Sequence, residues 1–129
     1  MRTFVVFMLF LMALSPCFAG APAAIDLYVS PDGNDANTGS KEKPLATITK
    51  ARDAVRPMIA AGLKAPVNVY LRGGTYRLDE PLAFGPQDSG AEDFAVTYAA
   101  QPGETVVVSG GRPITGWKRG EGQIWTAPA

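Results

Sequence analysis

The chain has 129 residues, with 12 Lys and Arg set against 12 Asp and Glu, so its formal net charge is zero. It carries no basic stripe and no base-stacking motif, which argues against a nucleic-acid binder. The absence of histidine removes the usual general base and the commonest metal ligand.

Met1-Arg2 supplies a positive start, Phe4 to Leu14 is an uncharged apolar run, and Ser15-Pro16-Cys17-Phe18-Ala19 adds a breaker and a small residue. That order is the pattern of a secretory signal peptide, expected over residues 1–19 with cleavage after Ala19, or alternatively after Ala21, Ala23 or Ala24. A membrane anchor is the competing reading, but the run is well short of the ~20 residues that a spanning helix needs. Lipidation at Cys17 is disfavoured by Pro16 immediately before it. The expected location is therefore secreted or periplasmic, without a stable membrane anchor. Residues 20–129 then form one small domain, lacking the only cysteine and held by burial and hydrogen bonding rather than disulfides.

Asp26 to Ser30 alternates as a short strand, with Leu27 and Val29 on one face and Tyr28 on the other. Pro31 to Ser40 is dense in Asp, Asn and Gly, the residues that bond nearby backbone or accept positive φ. Thr47 is the expected N-cap of a helix whose apolar stripe is Ile48, Ala51, Ala54, Val55, Met58 and Ile59. Pro57 predicts a kink or break, at ~3 kcal/mol or more in a helix interior, and Gly62 predicts the close of whatever helix continues. Beyond it the pattern is β. Val67 to Leu71, Tyr76 to Leu78, Pro81 to Phe84, Ala95 to Ala99 and Thr105 to Ser109 are predicted strands, with Ile114 to Trp117 and Ile124 to Thr126 as weaker ones. Strands of this length suit a sandwich or a solenoid equally well.

The block Tyr28-Val29-Ser30-Pro31-Asp32-Gly33-Asn34-Asp35, followed by Gly39-Ser40, Lys43-Pro44 and Thr47-Ile48, resembles the opening of secreted right-handed parallel β-helix proteins, the pectate-lyase-like superfamily. The continuation through Leu71-Arg72-Gly73-Gly74-Thr75-Tyr76, Asp88-Ser89-Gly90, Tyr98 to Glu104, Ser109-Gly110-Gly111 and Gly116-Trp117 resembles glycoside hydrolase family 141. The resemblance implies a mainly β fold with one N-terminal capping helix and the first coils of a right-handed parallel β-helix. It also implies that Trp125 to Ala129 falls where family members continue, so that a fragment or truncated gene product is expected. The implied partner is a polysaccharide or oligosaccharide, engaged through later coils.

Asp79-Glu80 and Glu92-Asp93 are the neighbouring acids that glycoside hydrolysis would draw on, but adjacent strand residues face opposite ways, and solvated loop acids are the simpler reading. Asp32, Asn34, Asp35 and Asn37 could offer oxygen to Ca²⁺, but Ala36 stands at the third ligand position from Asp32, so a turn network is preferred. Gly33 to Gly39 fails the phosphate-loop spacing, because Ser40-Lys41 follows it in the wrong order. Trp117 and Trp125 could stack on sugars or anchor loops. No catalytic, cofactor-binding or metal residue is assigned. The leading expectation is the N-terminal portion of a secreted carbohydrate-active β-helix protein, a glycoside hydrolase whose catalytic residues lie outside this chain. The rivals are a non-catalytic surface or adhesive β-helix that binds glycans, a polysaccharide lyase, and a small independent binding module.

Overall fold

A computed structural model of the chain describes residues 20–128; the expected signal peptide, with Cys17, lies outside them. The described residues are mainly β with a single α-helix. Strand β1 (Ile25–Val29) pairs in parallel with β2 (Val67–Leu71), and β2 with β4 (Val96–Ala100). A second parallel pair joins β3 (Gly74–Arg77) to β5 (Val106–Ser109). A short antiparallel hairpin, β6 (Lys118–Arg119) with β7 (Trp125–Thr126), ends the described chain.

The order is that of stacked coils. β2 turns through Gly73-Gly74 into β3, and β4 leads on to β5, each strand lying over its counterpart one coil earlier. Inward residues align in columns: Leu27 with Val69 and Tyr98, and Val29 with Leu71 and Ala100. These two sheets do not close into a β-helix within the described residues. Gly74 has φ 136°, and a Cβ there would stand 2.7 Å from Pro31 Cγ, so the corner between β2 and β3 demands glycine twice over.

Helix α1 (Ile48–Ala60) lays Ile48, Ala51 and Val55 into the core with Leu27, Val29, Leu45, Val67 and Val69. Thr47 is the N-cap, its Oγ1 accepting from the Lys50 N–H at 3.1 Å. The predicted break at Pro57 does not occur. Pro57 lies on the exposed face and so does Asp53, whose carbonyl loses its partner, so water can satisfy that group. The helix closes at Ala61 and Gly62, the latter at φ 82°.

Two predicted strands are also corrected. Pro81 to Phe84 is a loop: Pro81 has no N–H for a ladder, and the Ala83 carbonyl accepts instead from Arg52 Nη1 at 2.8 Å. Ile114 to Trp117 is irregular because Gly116 takes φ 73°, and Trp117 Nε1 folds back to donate to the Ile114 carbonyl at 3.0 Å. The 3-10 turn Pro86–Asp88 is strapped to the helix, with Arg56 Nε and Nη2 donating to the two Asp88 carboxylate oxygens at 2.6 and 3.0 Å. With the Gly85 N–H as a third donor at 2.7 Å, the Arg56 guanidinium holds the Asp88 carboxyl down at about 2.

Candidate functional site

The loop weighed as a cation site is occupied with its own folding. Asp35 Oδ1 accepts from the Ala46 and Thr47 N–H groups at 2.8 and 2.9 Å, and its Oδ2 accepts from Thr47 Oγ1 at 2.8 Å. Asn34 Oδ1 accepts from the Ala36 N–H at 2.8 Å, and Asn37 Nδ2 donates to the Pro44 carbonyl at 2.9 Å. Asp35 is thus a second cap on the start of α1, and the loop is a turn network. Gly33 packs so closely on the returning chain that a Cβ would sit 2.2 Å from the Leu45 carbonyl oxygen.

Asp79 and Glu80 line a groove of about 550 Å³ between the start of α1 and β3, beside Thr47, Arg52 and Arg77. Its polar groups largely serve the fold. Arg52 is bound to Ala83 and Asp53, and Thr47 to the cap. Both acids are exposed, as are Glu92 and Asp93 in the loop before β4. The two acidic pairs therefore stand in different loops and line no common groove. Trp117 and Trp125 are 53% and 57% exposed, so neither is a buried anchor among the described residues.

A feature that sequence reasoning missed lies on the outer face of the β1-β2-β4 sheet. The parallel register sets Tyr28 beside Tyr70, ring centroids 5.6 Å apart and planes inclined by 34°. One rung away Asp26 accepts from Asn68 Nδ2 at 2.9 Å. The aligned residue on β4 is Ala99, so the aromatic row stops at Tyr70. Lys41, Gln101 and Pro102 complete a shallow groove of about 250 Å³. The signal was present in the chain: Asp26-Leu27-Tyr28-Val29 and Asn68-Val69-Tyr70-Leu71 repeat one pattern, which parallel stacking brings into line.

No family model matches the chain. Two relatives do: an uncharacterised protein, YwoF, of Bacillus subtilis, 39% identical over 84 residues, and the pectate lyase PEL9 of Emericella nidulans, 34% identical over 90 residues. They are matched over 65% and 70% of this chain, which spans only 15% and 20% of their length. Among solved structures, a glycoside hydrolase superposes with TM-score 0.70 at 36% identity, over 75% of this chain and 17% of its own. XylC, solved in complex with xylose, superposes with TM-score 0.56 at 28% identity, over 78% of this chain and 14% of its own. Over most of its described residues the chain is thus similar in fold and sequence to carbohydrate-active proteins of the pectate-lyase-like β-helix superfamily.

Proposed function

We propose that this chain is the N-terminal part of a secreted, carbohydrate-active β-helix protein, a glycoside hydrolase of the family 141 type acting on plant or microbial polysaccharide. Within these residues the work is structural: α1 and the loop before it cap one end of the stack, and β1 to β5 begin the coils. The observation that carries the reading is the in-register stack of β1, β2 and β4, together with 36% identity to a glycoside hydrolase. The paired carboxylates that cleave a glycosidic bond, ~5–5.5 Å apart for retention or ~6.5–9.5 Å for inversion, belong on later coils in this reading. Asp79-Glu80 and Glu92-Asp93 are solvated loop acids.

Expression of the full gene product, assayed on a panel of plant and microbial polysaccharides, tests the proposal. Release of saturated reducing sugars is expected. A second reading, a polysaccharide lyase, is favoured by the 34% identity to PEL9 and predicts unsaturated products instead. Binding without turnover would support the adhesive alternative, and the absence of both binding and turnover would overturn the carbohydrate reading. Export is tested separately: the N-terminus of the protein recovered outside the cytoplasm should be Gly20.

A further inference from the structure

We infer that the outer face of the β1-β2-β4 sheet carries a sugar-binding shelf, on which Tyr28 and Tyr70 take the apolar face of one neutral pyranose ring of a glycan chain. The inference rests on the carbohydrate reading above and adds a subsite to it. Four observations carry it. The two tyrosines are half-buried on the face opposite the core, so their rings are presented outward rather than packed within. The aromatic row ends at Tyr70, whose neighbour on β4 is Ala99. Polar groups suited to ring hydroxyls line the groove together with the two rings: Asp26, Lys41 and Gln101. Finally, Gln101, which lines the groove, has a buried Oε1 with no hydrogen-bond partner among the described residues, a polar atom that the described fold leaves unpaired.

A cross-strand aromatic pair also steadies a sheet. That role alone would need neither the missing third aromatic nor the polar rim. Ligand sites typically combine an aromatic floor with a few convergent polar groups, and the negative face of an aromatic ring suits the weakly positive C–H face of a sugar. The groove, at about 250 Å³, lies below the ~300–1,000 Å³ of enclosed ligand pockets. It fits one ring lying on an open shelf. Asp26 and Lys41 offset each other in charge, so the groove has no net attraction for a uronate, and a neutral sugar is the class assigned.

The test is calorimetric titration of the full gene product with xylohexaose and cellohexaose as neutral probes and hexagalacturonate as the acidic one. Tyr70→Ala should weaken neutral binding by about 3- to 10-fold, while Tyr70→Phe, which keeps the ring, should not. Asp26→Ala, at an exposed position, should weaken it by about 10-fold, and this variant decides the matter if Tyr70→Ala fails to fold. Unchanged affinity of a folded Tyr70→Ala protein and of Asp26→Ala, for every glycan that the protein still binds, would overturn the shelf and leave the carbohydrate reading intact. Tighter binding of hexagalacturonate that depends on Lys41 would overturn the neutral class. Failure to bind any of a broad glycan panel would overturn both proposals.

Discussion

The two edges of the stack are finished differently. At the β1 edge the chain turns back on itself: the Tyr28 N–H donates to the Gly39 carbonyl at 2.7 Å, the Leu45 N–H to the Tyr28 carbonyl at 2.9 Å, and the Ser30 N–H to the Leu45 carbonyl at 2.9 Å. Leu45 and Val29 lie beneath that seam at 2% and 0% exposure, with α1 packed alongside. At the β4-β5 edge no such cover exists among the described residues. Val108 aligns with buried Tyr76, at 5% exposure, yet is itself 48% exposed. Along one inward column Val29 and Leu71 are buried while Ala100 is exposed. One edge is blunted by a loop and a helix, and the other leaves strand groups and apolar side chains uncovered among the described residues. In the proposed solenoid this asymmetry fits a terminal cap, because each coil of a solenoid is completed only by its neighbour.

Changes at the closed edge should therefore cost far more than changes at the open one. Leu45→Ala removes a fully buried side chain under the seam and should lower unfolding free energy by about 2–5 kcal/mol, read by urea denaturation. Gly33→Ala forces a methyl into the Leu45 carbonyl and should cost about 1–3 kcal/mol by the same assay. Thr47→Ala, which removes the helix cap and one bond to Asp35, should cost about 1 kcal/mol. At the open edge Val107→Lys should change stability by no more than about 0.5 kcal/mol. A large loss from Val107→Lys, or a small one from Leu45→Ala, would break the contrast.

The Arg56–Asp88 strap adds a pH dependence to the helix side. Because the folded Asp88 carboxyl titrates at about 2, below the ~3.9 of an unfolded aspartate, its contribution is present above pH ~4 and is lost as pH falls toward 2. Asp88→Asn should flatten stability measured across that interval and leave the slope above it unchanged.

Much of the closed end is legible in the sequence, and the pairing is not. Strands β1 and β2, the Thr47 cap and the helical stripe follow from local periodicity and capping chemistry, which depend on near neighbours. Parallel register depends on residues far apart, as with Ile25 and Val67, and nothing local encodes it. Alternation alone sets Tyr28 opposite Leu27 and Val29, yet only the stacking of coils brings Tyr70 beside it. Asp35 resembles a cation ligand because a carboxylate that caps a helix from a distant loop has the same local sequence as one that binds metal. Pro57 misleads for a different reason: the cost of a helical proline falls when the freed carbonyl faces water.

The most direct test of the asymmetric cap is the size of residues 20–129 in solution, measured by light scattering over a range of concentrations. The open edge predicts self-association that grows with concentration and is suppressed by Val108→Lys, with little change in unfolding midpoint. A monomer at every concentration, unfolding cooperatively and indifferent to Val108→Lys, would contradict it.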